Sequence, residues 1–483
     1  MSLRNRRDGE WLSITMSVDI LFSSTPWIDG TPCLAPAILK SVVEHNGFSA
    51  KTIDLAAYVY QCAQNHPHGN QIQKFCQQQY INFDVGADKI LADLIEDCTE
   101  KILAHNPKIL GFSMLSQESQ FFTMWLSYHI KHVAPDIKII IGGSGVKNFI
   151  AGSNIFYAQE LRNLGIIDDF IMGDGEHAMV EYLANNRDFN GINTATWAQI
   201  GNLDQFPFPN FDDYNFDWYN IKSIPICDSR GCVRKCEFCD IIKHWTNYKY
   251  RSGQSVFQEM LHQIEKHSIY NFSFYNSLTN GNMKQFEIIL DLICDYNHGK
   301  VRSKQISWDG YFIVRDQLRH PERLWKKLQQ NNAHLLLGVE SVVEHVRIGL
   351  GKNFKNDAID YHLEMAKKYN VKVSLLMIVG YPTETKADFE FTKKWFVERK
   401  RYAPSIKNVI ATLAAILPGT ELEKNLANYG VVRDENTIPI MWQNEEANIS
   451  ESYRYEYLLS FKSLLEQNGF FVSVDDTTLQ EVT

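Results

Sequence analysis

Twice along this chain, short apolar runs alternate with stretches of helical periodicity, and a polar, proline-punctuated segment separates the two runs. Strands that alternate with helices pair in parallel, because each crossover helix returns the chain to the same end of the sheet. The spacing predicts strands over 18–22, 51–55, 108–114, 137–141 and 169–172, with helices over 34–45, 89–103, 119–133 and 176–183. The alternation resumes at Ser223, with strands over 224–227, 271–275, 305–308, 335–339, 371–379 and 409–415 and helices over 256–267, 283–296, 321–330, 358–369 and 386–400. The expected fold class is therefore α/β: a doubly wound parallel sheet, then a partial (β/α)6 barrel, then a small helical C-terminal region. The divisions fall at 1–16 (extension), 17–185 (first sheet), 186–221 (linker), 222–420 (barrel) and 421–483 (helical, rich in aromatics, covering the barrel mouth or its side). Both sheet types bind ligands at the carboxyl ends of their strands.

Composition narrows the partners. Asp and Glu outnumber Lys and Arg by 57 to 48, a net charge of −9 that disfavours general affinity for nucleic acid. No stretch reaches the 18 or so apolar residues of a membrane span, and no apolar segment follows the basic first residues as in a secretory signal. A cytoplasmic protein is expected, with its nine cysteines reduced or ligating metal. The Gln-rich segment 61–86, with His66-Pro67-His68, reads as a surface insertion, a metal site or substrate lid being the alternative.

Cys33, Cys62, Cys76 and Cys98 are scattered and read as small buried hydrophobes. Cys232, Cys236 and Cys239 differ, because they form a C-x3-C-x2-C loop directly after the first barrel strand. Three thiolates on one short loop can each bind a different iron of a [4Fe–4S] cube. The fourth iron is then open to the amino and carboxylate groups of S-adenosylmethionine, and one electron cleaves the sulfonium to a 5′-deoxyadenosyl radical. Phe238, beside the last cysteine, can shield the cluster and lie along the adenine. The competing reading is a tetrahedral zinc site with Cys227 or His244 as fourth ligand.

The chain resembles the radical S-adenosylmethionine (SAM) superfamily at more than its cysteines. Ser229-Arg230-Gly231-Cys232 and Tyr250-Arg251-Ser252 are similar to the segments flanking the family's cluster loop. Gly338-Val339-Glu340-Ser341 is similar to its fourth-strand motif, which implies that Glu340 contacts the ribose. Residues 378–382 with Glu384 resemble the fifth-strand motif, which implies that Gly380 lies near the adenine, and Pro418-Gly419-Thr420 resembles the turn after strand six. Asn276-Ser277 ends the second strand where an acidic residue often faces the methionine amino group, so Asn276 is the implied contact; Thr383 stands where Gly is common.

The first half resembles the cobalamin-binding, Rossmann-like domain that precedes the barrel in one subgroup. The similar pieces are Thr25-Pro26, residues 31–35, Gly111-Phe112-Ser113, Gly142-Gly143, Gly173-Asp174-Gly175-Glu176 and the connector 204–209. Small residues at the strand ends leave room for a macrocycle, which makes Ser113, Ser116, Gly142, Gly143, Gly173 and Glu176 the candidate cobalamin-binding residues. There is no Asp-x-His-x-x-Gly motif to supply a lower axial histidine.

The resemblance implies a cobalamin-dependent radical enzyme, a methyltransferase acting on an unactivated carbon or phosphorus of a small-molecule or peptide substrate. It also implies an external electron donor such as flavodoxin or ferredoxin. The alternatives are a non-methylating rearrangement or cyclisation, a methylthiotransferase, which would need three further cluster cysteines, and a cobalamin-binding sensor.

Overall fold

The computed structural model describes residues 17–26, 30–77, 88–114, 118–147, 157–185, 200–316, 321–433, 440–445 and 449–474. The first sheet holds β1 (Val18–Ser24), β2 (Ala50–Asp54), β3 (Pro107–Ser113), β4 (Lys138–Gly142) and β5 (Asp169–Ile171), all parallel, in the order β2-β1-β3-β4-β5. The middles of its central strands β1, β3 and β4 are apolar because helices cover both faces. Leu21, Leu110, Ile139 and Ile141 face one buried cluster, and Ile20, Phe22 and Ile140 face the other. The strand order reverses between β1 and β3, so a crevice opens at their carboxyl ends.

The segment expected as a surface insertion is built into this domain. Helices Leu55–Asn65 and Gly69–Gln77 cover its first part, and Ile72, Phe75 and Cys76 enter the core. That helical spacing is hidden among polar residues. Gly69 permits the tight turn between the helices, since a Cβ there would lie 1.9 Å from the Ala63 carbonyl oxygen. His66, Pro67 and His68 stand exposed at this turn; residues 78–87 lie outside the described set.

The second sheet begins with β6 (Ile224–Ile226). A short antiparallel pair follows, β7 (Ser229–Arg230) with β8 (Lys249–Tyr250). Then come β9 (Asn271–Phe274), β10 (Ser307–Phe312), β11 (Ala333–Glu340), β12 (Lys372–Val379) and β13 (Ile406–Leu413). The sheet is parallel and runs β6-β9-β10-β11-β12-β13, a partial barrel of six strands, with a seventh on its far edge. A second antiparallel pair, β14 (Val431–Val432) with β15 (Gln443–Asn444), lies beyond the sixth.

The seventh strand adds to the helical C-terminal region an element that the sequence reading did not include. β16 (Val472–Val474) follows helix Glu451–Gln467 and pairs with β13, Val472 opposite Val409. Asn468-Gly469 ends the helix, and Phe470, Val472 and Val474 then point inward at the two-residue period of a strand. The helix packs on the barrel's side, where Tyr457 stacks on Phe389 with ring centroids 4.0 Å apart. Its buried Arg454 reaches the strand ends, donating to the carbonyls of Ala414, Ile440 and Trp442.

The described linker, 200–221, is packed against both domains. Phe211 is fully buried in the barrel core, and Gln263 Nε2 donates to the Pro209 carbonyl. Asp213 pairs with Lys40 and Lys51 and accepts from the Thr52 amide.

Candidate active site at facing strand ends

The cysteine loop is the long connection between β7 and β8. Gly231 starts it in a left-handed conformation (φ 79°), and a Cβ there would meet the Asn247 carbonyl at 2.8 Å. Two distant segments then clamp the loop. The Glu237 amide donates to Leu350 O at 3.2 Å, and the Leu422 amide donates to Glu237 O at 2.9 Å. Beside the first bond, Gly351 (φ 80°) lets the backbones touch, because its Cβ would lie 3.2 Å from Cys236 Cα. The Cys239 amide closes a turn on the Cys236 carbonyl, and Cys232 Sγ accepts from the Arg234 amide at 3.4 Å.

Cys236 is buried and Cys232 and Cys239 are partly buried. Burial pushes the Cys236 thiol up and the Cys239 thiol up to about 12. Both thiols therefore hold their protons at neutral pH until bound metal displaces them. Among the described residues, no three His, Cys, Asp or Glu side chains converge on a single metal ion. Cys227 Sγ donates to Ser229 O at 3.3 Å. A tetrahedral zinc set is thus not preformed, whereas a cube takes one thiolate at each of three separate irons.

The candidate SAM residues lie on neighbouring strand ends. Asn276 is buried after β9; its Nδ2 donates to Ser229 Oγ at 3.3 Å, and its Oδ1 has no partner. Glu340 ends β11 with φ 62°, at an irregularity in the β11–β12 register, and its carboxylate pairs with Lys352 Nζ at 2.7 Å. Lys352 also donates to Gly338 O at 2.9 Å, which fixes the ammonium beside the strand end. Phe238 packs on the apolar cluster of Val343, Leu350, Tyr381 and Ile416. Gly380 is required by the backbone itself, with φ 72°. A Cβ there would lie 2.6 Å from Arg454 Cδ, and its amide donates to Glu384 at 2.7 Å. It shapes the turn after β12. Three thiols on a pinned loop, an unmatched buried amide oxygen and a strand-end carboxylate suit a [4Fe–4S] cluster with SAM.

At the first sheet, Ser113, Gly142, Gly143 and Gly173 lie half-exposed at the ends of β3, β4 and β5, and Ser116 lies outside the described residues. Gly142 is open, with only Ile171 O at 3.8 Å from where a Cβ would stand. Gly143 is required by the backbone: its φ is 101°, and a Cβ would lie 2.3 Å from Met114 O. Gly173 also has positive φ, 95°. These four positions carry no large side chain, which suits a flat macrocycle. Glu176, the remaining candidate, holds its buried carboxylate against Arg230.

That pair belongs to a junction the sequence did not reveal. Arg230, two residues before Cys232, inserts between Glu176 and Asp174, its Nη1 2.8 Å from Asp174 Oδ1. Burial opposes the guanidinium's charge, but Glu176 and Asp174 outweigh it and hold Arg230 fully protonated. Asp174 also accepts from Trp245 Nε1 at 3.0 Å and from the Ile200 amide at 2.7 Å. The carboxyl end of the first sheet is thereby tied to the cysteine loop. Asp228 was likewise missed; it is buried after β6, accepts from Ser229 Oγ, and is pushed by burial up to about 7.

Comparison with known proteins agrees with this geometry. Residues 226–396 match the family model described as the Radical SAM superfamily. The barrel is thus a radical SAM domain. An uncharacterized methyltransferase of Pyrococcus horikoshii is 23% identical to this radical SAM enzyme over 431 residues, 80% of this chain and 88% of that protein. Among solved structures, the radical SAM methyltransferase TsrM of Kitasatospora setae, with cobalamin and a [4Fe–4S] cluster bound, superposes with a TM-score of 0.62. That match is 14% identical and covers 90% of this chain and 84% of TsrM. The cobalamin-dependent radical SAM enzyme OxsB, with aqua-cobalamin bound, gives 0.56 at 13% identity, covering 86% of this chain and 56% of OxsB. At these identities the two structures share the fold of the two-domain arrangement. No described helix is long and apolar enough to cross a membrane.

Proposed function

We propose that this radical SAM enzyme is a cobalamin-dependent methyltransferase that methylates an unactivated position of a small-molecule or peptide substrate. The observation that carries the reading is the Arg230 junction, which fastens the open strand ends of the first sheet to the loop of Cys232, Cys236 and Cys239. Cys76 and Cys98 are buried in the first core, which supports a methyltransferase over a methylthiotransferase needing three more cluster cysteines.

When bound, a [4Fe–4S] cluster with SAM supplies hydrogen-abstracting radical chemistry, and a corrinoid supplies the methyl group. The chain's part is to bind, orient and exclude water. Cys232, Cys236 and Cys239 hold the iron; Asn276 and Glu340 supply acceptors for the amino group and ribose of SAM; Phe238 covers the loop with apolar surface. The half-exposed shelf of Ser113, Gly142, Gly143 and Gly173 receives the macrocycle, with no histidine placed by motif beneath it. Flavodoxin or ferredoxin is the electron donor.

The test is anaerobic purification with hydroxocobalamin, followed by iron, sulfide and corrinoid counting. One cube and one corrinoid per chain are expected, with a base-off absorption spectrum. SAM labelled in its methyl carbon should pass the label to a metabolite absent from extracts lacking the enzyme. Protein that holds its cluster but takes up no corrinoid would overturn the proposal, as would turnover in which all of the label ends on methionine and none on another product.

A further inference from the structure

The turn after β12 joins two parts of the molecule that lie far apart in the sequence. On one side stands Arg454 of helix Glu451–Gln467, fully buried and satisfied by carbonyls rather than by a carboxylate. Its guanidinium stacks on Trp442, 3.7 Å from the ring centroid, and its aliphatic stem lies against Gly380. A buried cation is costly unless acceptors converge on it, so the carbonyls and the ring fix this side chain in one place. Within the turn, the buried Glu384 carboxylate accepts from the Gly380 amide at 2.7 Å and from the Tyr381 amide at 3.3 Å. The turn is thereby held from behind and from within.

On its other side the turn reaches toward the cysteine loop. Tyr381 is buried, and its hydroxyl donates to the Gly349 carbonyl at 3.1 Å. Gly349 ends a short helix, Glu344–Gly349. A Cβ on Gly349 would lie 3.4 Å from Thr383 Oγ1 and 3.7 Å from Tyr381 Cε1, so helix end and turn are in contact. The next residue is Leu350, whose carbonyl accepts the amide of Glu237, the residue after Cys236. Tyr381, Leu350 and the partly buried Phe238 share one apolar cluster. Arg347, also fully buried, braces the same helix by donating to Ser341 O at 2.8 Å and Phe354 O at 2.9 Å. Contacts thus run without a break from the C-terminal helix through Gly380, Tyr381 and Leu350 to the cysteine loop.

We propose that Tyr381 is a positioning residue for the iron–sulfur cluster, its hydroxyl fixing the Leu350 carbonyl and, through it, the placement of Cys236 and Cys239. It acts through the backbone, and it brings the C-terminal helix into the support of the cluster. The assignment rests on the reading of the cysteine loop as a [4Fe–4S] site and is independent of corrinoid binding and methyl transfer.

The experiment uses full-length, cluster-loaded protein in four forms: unaltered, Tyr381→Phe, Tyr429→Phe and Tyr457→Phe. Tyr457 is the matched control, because its buried hydroxyl donates to Phe389 O, also at 3.1 Å, away from the cysteine loop. Tyr429→Phe removes the other neighbour of the Tyr381 hydroxyl. A neutral hydrogen bond is worth roughly fivefold in an equilibrium. Tyr381→Phe and Tyr457→Phe should therefore lower the melting temperature by similar amounts. Only Tyr381→Phe should lose iron to excess chelator faster, by roughly fivefold, and shift the electron paramagnetic resonance spectrum of the reduced cluster. Its kcat for 5′-deoxyadenosine release should fall while its KM for SAM stays unchanged. Iron loss from Tyr381→Phe no faster than from Tyr457→Phe would overturn the proposal. Equal acceleration by Tyr429→Phe would overturn it too, since the Gly349 bond would then not be the one that matters. Unaltered protein that takes up no cube would instead defeat the reading of the loop, so the two failures are distinguishable.

Discussion

Replacing Arg230 with Met leaves Asp174 and Glu176 buried without their counter-charge. The side chains of Asp174 and Glu176 are each 3% exposed, and that of Arg230 is 13% exposed, so solvent can do little to screen the loss. Breaking a buried ion pair by removing one partner costs about 3–5 kcal/mol. The cost is unequally divided. Asp174 keeps its hydrogen bonds from Trp245 and the Ile200 amide, whereas among the described residues Glu176 has only Arg230. Arg230→Met should therefore lower the calorimetric transition of the N-terminal domain by roughly 6–20 °C, at about 2–4 °C per kcal/mol for a domain of this size. It should also move that transition away from the barrel's, since one fastening between the two is lost while the Trp245–Asp174 bond and the linker contacts remain. Adding Glu176→Gln should restore most of the loss, and adding Asp174→Asn much less. Scans at one fixed rate make the comparison valid even if unfolding is irreversible. A single unshifted transition in Arg230→Met, or equal rescue by the two second substitutions, would refute the reasoning.

Three further outcomes are expected. Cys232→Ala, Cys236→Ala and Cys239→Ala should each lose the cube by iron and sulfide counting and Mössbauer spectroscopy, while Cys227→Ala keeps it. Glu384 is pushed by burial up to about 8, so the folded protein holds a proton there that the unfolded chain releases near 4.5. Its contribution to stability is full below about pH 4.5 and is lost as pH rises through about 8; the melting temperature of Glu384→Gln should fall less than wild type's between pH 5 and 9. Glu340→Ala should raise the KM for SAM about tenfold or more by removing a charged hydrogen-bond acceptor; an unchanged KM, measured by 5′-deoxyadenosine release, would assign Glu340 to holding Lys352 alone.

The parallel strands were legible because each is a continuous apolar run bounded by turn residues, as at 137–141 before Gly142-Gly143. The cysteine loop was legible because its chemistry is confined to eight consecutive residues. What escaped depends on partners far away in the chain. Nothing local to Arg230 names Glu176, and nothing local to Gly380 names Arg454, whose side chain makes a glycine necessary there. Helix Gly69–Gln77 escaped because three buried residues among many polar ones give a weak period. β16 escaped because three residues are too few to show alternation.

The clamps on the cysteine loop also set an order of events during biosynthesis. Leu350 and Leu422, which hold Glu237 from both sides, are translated well after Cys239. β16, which covers the backbone edge of β13, comes later still. At roughly 5–20 residues per second, about 9–37 seconds separate the synthesis of Cys239 from that of Leu422, and only then can the loop take its final shape. The clamped shape of the loop therefore forms only once the barrel is nearly complete. A chain cut short before Val472 would carry its ligands complete yet expose the β13 edge, a template for pairing with other chains.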